Sequence, residues 1–306
     1  MPELLRPPRL AAGQRVALIA PAGPVSEERI AGALERCAEL ELEPVLGAAT
    51  RERAGYFAGP DARRAADLQA ALDDDGVDAV WALRGGYGVT RLLPILDFSR
   101  LAVRPKALVG YSDITALHLA LTGAGMVSFH GPHPGEAVTP ATDACFRRVL
   151  FRAEPAGVLP FPDGAEPAAT LVSGVAEGPL VGGNLAMLAA TCGTPVAMRA
   201  RGCIVFLEDV GEPGYRIDRM LTQLRLAGAL DGALALALGQ FTEVPPYTND
   251  RPVTEILRET AQALDIPAVV GLPIGHVRDN WTLPLGIRAR LDADAGTLAL
   301  LESAVT

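Results

Sequence analysis

Apolar runs of five or six residues, alternating with helical stretches, limit what this chain can fold into more than any other feature. Arg15 to Pro21, Leu42 to Leu46, Val77 to Leu83, Lys106 to Gly110 and Met126 to Phe129 read as strands. Ser26 opens a helix between the first two, with Glu27 and Glu28 in the first turn, where the helix dipole favours acids. Ile30, Leu34, Cys37 and Leu40 form its apolar face. Asp61 is expected to cap a second helix, with Ala65, Leu68 and Leu72 turned inward. Further helices read over 91–96, 113–121 and 140–151. Short buried strands separated by helices imply βαβ units and a parallel sheet. Ligands bind such sheets beyond the carboxyl ends of the strands.

Between Glu154 and Ala169 four prolines interrupt the pattern, and neither period survives. The expected division is an α/β domain over 1–155, a proline-rich connector over 156–169 and a second domain over 170–306. Strands are expected there at 170–177, 203–207 and 233–241, and helices at 184–192, 217–226 and 254–264. The segments 283–291 and 297–301 read as a closing hairpin. The 306 residues are 49% hydrophobic, enough to bury a sizeable core. The net charge of −9, with no block of Lys or Arg, argues against nucleic acid or an anionic membrane as partner. The start, Met1-Pro-Glu-Leu-Leu-Arg, lacks the pattern of a signal peptide, so a cytoplasmic setting is expected. Cys37, Cys145, Cys192 and Cys203 are scattered and read as buried free thiols.

Three polar residues terminate apolar strands: Ser112, Glu208 and His276. A serine at a sharp strand-to-helix turn is how α/β sheets present a nucleophile. It needs a base, for which histidine has a suitable pKa, and a carboxylate that fixes the histidine tautomer. The same serine, or Asp113, also reads as a plain helix cap. Arg84-Gly-Gly-Tyr-Gly88 follows a strand directly, and its glycines let backbone N–H groups approach a ligand, as a phosphate cradle or an oxyanion hole does. A tight glycine turn is the simpler account. Of the remaining histidines, His118 reads as a packing residue on its helix, and His130 and His133 as structural. Their i, i+3 spacing without nearby carboxylates is a weak metal signature, so no metal and no cofactor are expected.

Taken in order, several motifs resemble the LD-carboxypeptidases (muramoyltetrapeptide carboxypeptidases). They are Arg84-Gly-Gly-Tyr-Gly88 with 91–97, Gly110-Tyr-Ser-Asp-Ile-Thr115, Gly182-Gly-Asn184, Leu207-Glu-Asp-Val-Gly-Glu-Pro213 with Tyr215 and Arg219, and Gly275-His276 with Asn280. The resemblance implies Ser112 as nucleophile, His276 as base and Glu208 as orienting carboxylate, with the backbone N–H groups of Gly86 and Asp113 as oxyanion hole. It implies an N-terminal flavodoxin-like domain and a C-terminal β/β/α swivelling domain, with the site in the cleft between them. It further implies a cytoplasmic homodimer that releases D-alanine from murein tetrapeptides at an L,D bond during wall recycling. The substrate would be a peptide ending in a D-amino acid. Arg84, Tyr87 and Asn184 are candidates for holding it, with Arg278 a further candidate for its carboxylate. A related branch, the microcin-C immunity peptidases, cleaves peptidyl-nucleotide conjugates. It stacks an aromatic on the base from a longer segment before the glutamate, whereas here 184–208 is short and holds one aromatic, Phe206. Two other classes stay open from the residues themselves: a small-molecule or phosphate-binding module built on the 84–88 loop, and an inactive member serving as an interaction protein.

Overall fold

The computed structural model describes residues 4–246, 248 and 251–306. The first sheet takes in β1 (Arg15–Ile19), β2 (Glu43–Leu46), β3 (Ala79–Ala82), β4 (Ala107–Gly110) and β5 (Ser128–His130). They run parallel in the order β2-β1-β3-β4-β5. That is the flavodoxin-like order, whose strand sequence reverses between β1 and β3 and leaves a crevice there. Helix α1 (Glu27–Glu39) links β1 to β2, α2 (Asp61–Asp73) links β2 to β3 and α3 (Thr115–Gly123) links β4 to β5. Short 3-10 turns stand between β3 and β4 in place of the helix expected over 91–96, and α4 (Pro140–Leu150) follows β5. Ser26 caps α1 as expected, accepting the Arg29 N–H. Asp61 does not cap α2; Pro60 holds that position, and the Asp61 carboxylate instead pairs with Arg64 and Arg91. Proline suits a helix entrance, where N–H groups lack partners anyway.

The second sheet comprises β6 (Gly157–Val158), β7 (Ala169–Val172), β8 (Val175–Asn184), β9 (Ile204–Val210), β10 (Ala235–Thr242) and β11 (Ala268–Val270), with β13 and β14 below. Its centre, β8-β9-β10-β11, is parallel. Helices α5 (Leu185–Ala190), α6 (Gly214–Leu226) and α7 (Val253–Leu264) cover one face through Leu188, Ile217, Leu221 and Leu257. The expected strand over 170–177 is two strands, broken at Gly174, whose φ of +129° turns the chain.

The chain is not partitioned cleanly between the sheets. Within the proline-rich segment, β6 pairs with β14 (Thr297–Leu300). The segment expected as one strand over 283–291 divides at Gly286 (φ +88°). Its first part, β12 (Leu283–Leu285), joins the edge of the first sheet antiparallel to β5. Its second part, β13 (Arg288–Asp292), forms the expected hairpin with β14. The mixed α/β class with two sheets is as expected, but one apolar cluster runs from Val16, Trp81 and Phe129 to Phe206, Ala237 and Leu298. The sheets therefore share a core.

Trp281 closes this seam. It is 2% exposed, its Nε1 donates to Pro160 O at 3.0 Å, and its ring meets Phe161 at 5.3 Å. Truncating it opens a cavity and frees the proline-rich segment. Trp281→Ala is expected to cost about 3–5 kcal/mol, read as a lowered urea midpoint.

Candidate active site

Ser112 sits in a left-handed turn (φ +64°) between β4 and the helical segment that becomes α3. Such a conformation costs a non-glycine residue roughly 1–3 kcal/mol. Neither Ser112 nor Asp113 caps the helix. The Asp113 carboxylate reaches the glycine loop instead, where Oδ2 accepts the Val89 N–H at 2.9 Å. Burial lifts its pKa to about 6.

The loop lies directly against the serine. A Cβ on Gly85 would stand 2.7 Å from Ser112 Cβ, 2.9 Å from Ser112 Oγ and 3.3 Å from the Asp113 nitrogen, so only glycine fits. Gly86 has φ +119° and packs on Gly23. Arg64, 1% exposed, donates to Gly88 O at 3.1 Å and to Gly59 O at 3.2 Å, and also to Pro21 O. The loop is thus gripped from both sides, by Asp113 and Arg64. Neither grip was foreseen. Arg64 lay in a helix whose inward face was drawn through Ala65, Leu68 and Leu72, yet its i, i+4, i+7 relation to Leu68 and Ala71 marks it as facing inward.

Glu208 lies near the end of β9 and its side chain is wholly buried. His276 follows β11 on a loop, and its Nδ1 is 2.7 Å from Glu208 Oε2. A carboxylate only accepts, so Nδ1 carries the proton and Nε2 is left as the basic atom. Gly275 makes room for the pair, since a Cβ there would stand 2.6 Å from Glu208 Cβ. Burial lowers the His276 pKa, but the hydrogen bond and charge of Glu208, aided by Asp209 and Glu136, outweigh it and raise the pKa above 6.5. The imidazole packs edge-on against Tyr111, ring centroids 4.8 Å apart, and Tyr111 immediately precedes Ser112. On its other side Tyr111 meets His133 at 4.6 Å, and its hydroxyl donates to Glu136 at 3.0 Å. The Glu208–His276 pair of the second sheet thus packs against the residue that precedes Ser112 in the first, with no hydrogen bond between Ser112 and His276 among the described residues.

The other histidines are structural. His118 bridges Ser128 Oγ and Gly110 O at 2.9 and 2.8 Å. His133 Nδ1 meets Ala82 O at 2.8 Å, and His130 is buried against Phe206. Burial holds the pKa of His118 and His133 down at about 4 and that of His130 well below the usual value. Asn184 is already engaged: its Nδ2 donates to Asp209, its Oδ1 caps α5 and its backbone N–H donates to Thr115. These bonds brace β8 against β9 and α5. Tyr87 is 47% exposed beside Arg84, whereas Arg278 lines a different pocket, with Phe161 and Pro167.

Comparison with known proteins agrees with this geometry. Residues 16–131 match the LD-carboxypeptidase N-terminal domain, and residues 177–291 the C-terminal domain. The chain belongs to the LD-carboxypeptidase family. It is 46% identical to a putative carboxypeptidase of Streptomyces coelicolor, over 98% of this chain and 97% of that one. It is 37% identical to the murein tetrapeptide carboxypeptidase of Pseudomonas aeruginosa, over 92% and 94% respectively. The solved structure of MccF in complex with glutamyl sulfamoyl guanosine shares its fold, with a TM-score of 0.90 at 24% identity over 99% and 100% of the two chains. As an LD-carboxypeptidase family member the protein is a hydrolase of the serine-peptidase class. Among the described residues, no helix is long and apolar enough to cross a membrane.

The Glu208–His276 pairing has a titration signature. Glu208→Gln removes the two largest effects that raise the imidazole pKa and leaves burial opposed only by the charges of Asp209 and Glu136, so its midpoint by histidine NMR is expected to drop from the native value. The native folded value exceeds the unfolded one. The pair therefore stabilises the fold fully below about pH 6.5, and that contribution fades as pH rises through the folded value.

Proposed function

We propose that this LD-carboxypeptidase family member releases the terminal D-alanine of murein tetrapeptides through an acyl-enzyme. What carries the proposal is the 2.7 Å Glu208–His276 pair held against the residue preceding a strained, loop-backed Ser112. Ser112 Oγ attacks the scissile carbonyl carbon and passes its proton to His276 Nε2. Charge on the carbonyl oxygen is met by the backbone N–H groups of Gly86 and Asp113, which the grips of Arg64 and Asp113 hold in advance. Preorganised donors of this kind are worth about 3–4 kcal/mol each. The imidazolium, stabilised by Glu208, protonates the departing amine, and the C–N bond breaks. Water, activated by the same imidazole, then frees Ser112.

The murein substrate is supported by the 37% identical Pseudomonas aeruginosa relative, a murein tetrapeptide carboxypeptidase. It is also favoured over a peptidyl nucleotide by Phe206. That ring, the one aromatic between Asn184 and Glu208, is fully buried against His130 and offers no face on which a base could stack. A cytoplasmic homodimer is part of the same proposal.

The test is mass spectrometry of products from L-Ala-D-Glu-diaminopimelate-D-Ala and from a peptidyl adenylate. Free D-alanine is expected from the first and no cleavage of the second. Ser112→Ala is expected to lower tetrapeptide turnover by about 10⁴-fold or more. Turnover at the native rate in Ser112→Ala would overturn the assignment.

A further inference from the structure

The pocket beside the glycine loop has a charge unlike the rest of the molecule. It holds about 580 Å³ and is lined by Gly23, Pro24, Tyr56, Arg84, Gly86 and Tyr87. Gly23 and Pro24 follow β1, and Arg84 to Tyr87 follow β3. The pocket is therefore the crevice at the β1/β3 reversal, where doubly wound sheets bind ligands. Arg84 is half-buried, with its guanidinium laid on Gly23 and one hydrogen bond, Nη1 to Pro24 O at 2.9 Å. Among the described residues no carboxylate comes within ion-pair distance of Arg84 or of nearby Arg53, while Arg29 shares Glu136 with Tyr111. Three guanidinium groups thus face one carboxylate, in a chain of net charge −9. A half-buried arginine without a counter-ion costs desolvation energy that a bound anion would recover.

The position selects the anion. Gly86 lines the pocket, and its neighbour Gly85 lies against Ser112. Arg84 directly precedes Gly85, so the pocket and the serine adjoin the same loop. In a departing amino acid the carboxylate is one Cα removed from the scissile nitrogen, so its receptor must stand close to the serine. Arg278 is exposed and lines the pocket of Phe161 and Pro167, and does not meet this condition. Tyr56 and Tyr87, 66% and 47% exposed with centroids 5.8 Å apart, wall the pocket with apolar surface suited to a small side chain.

We propose that Arg84 is the receptor for the free α-carboxylate of the substrate's terminal residue, and that this contact restricts the enzyme to chain ends. The inference rests on the carboxypeptidase reading above, but it can fail separately. Arg84 holds the carboxylate through charge-assisted hydrogen bonds, with Arg53 adding field. Tyr56 and Tyr87 flank the side chain of the leaving residue. An amidated terminus keeps the scissile bond but loses the charge.

The test measures binding apart from turnover. In a Ser112→Ala background, calorimetry compares the tetrapeptide with its C-terminal amide. The free acid is expected to bind about 10–100-fold more tightly, the range for hydrogen bonds to a charged group. Adding Arg84→Met is expected to abolish that preference by weakening the acid and leaving the amide unchanged, and Arg84→Lys to restore part of it. Acid and amide binding equally to Ser112→Ala, no binding of either, or a preference that survives Arg84→Met each overturns the proposal. Failure of the Ser112 protein to turn over tetrapeptide, with the binding preference intact, overturns the catalytic reading and leaves the carboxylate receptor standing.

Discussion

The left-handed turn at Ser112 is the constraint on which the rest of the site depends. A serine there is unfavourable by itself, and the molecule offsets the cost with contacts that only this turn permits. It sets Asp113 to accept the Val89 N–H, which fixes the far end of the glycine loop. It sets the Ser112 side chain against Gly85, where no larger residue could stand. Arg64 then closes the loop from the opposite side through Gly88 O. Strain, glycine content and a buried arginine are one arrangement, since relaxing any of them would release the backbone N–H groups beside the serine.

The proposed catalytic site takes its other half from the second sheet, so the joint between the sheets matters as much as the elbow. The joint is covalently and physically continuous. β12 crosses back to the first sheet, Thr115 receives the Asn184 N–H, and Thr142 receives the Asn280 N–H at 3.1 Å. Asn280 also accepts the Gly275 N–H at 3.0 Å, so the loop bearing His276 is tied to α4 of the other layer. A shared apolar core makes these polar ties rigid, because dense packing leaves side chains few alternative positions.

Much of this was legible in the sequence, and the exceptions have physical causes. Ser112, Glu208 and His276 stood out because each ends an apolar run, where a polar residue meets the ligand-binding edge of a parallel sheet. A parallel α/β layer followed from strand length and spacing, and its flavodoxin-like character from the family resemblance. The crossing of β12 did not, because an apolar triplet carries no mark of the sheet it will join; only Gly286 signals that the run is broken. The bonds of Asn184 were not legible either, because a polar residue after two glycines gives no hint of its bond to the Asp209 carboxylate. Arg64 was passed over because charge usually marks the solvent face of a helix, and here the guanidinium meets carbonyl oxygens that no pattern shows.

The two buried aspartates separate how the site tolerates acid. Burial raises both to about pKa 6, yet their hydrogen bonds differ. Asp113 leaves Oδ1 without a partner and holds Val89 through Oδ2, so it can take a proton on the idle oxygen without loosening the glycine loop. Asp209 has no idle oxygen. Its Oδ1 accepts from Asn184 and Val210, and its Oδ2 from Ala186. Protonating Asp209 weakens it as an acceptor for these three donors, which tie the start of α5 to β9 next to Glu208. Protonating His276 would remove the proposed base while leaving its bond to Glu208 intact. Acid would thus bear on the proposed site at two points, on the charge of His276 and on the hydrogen bonds of Asp209.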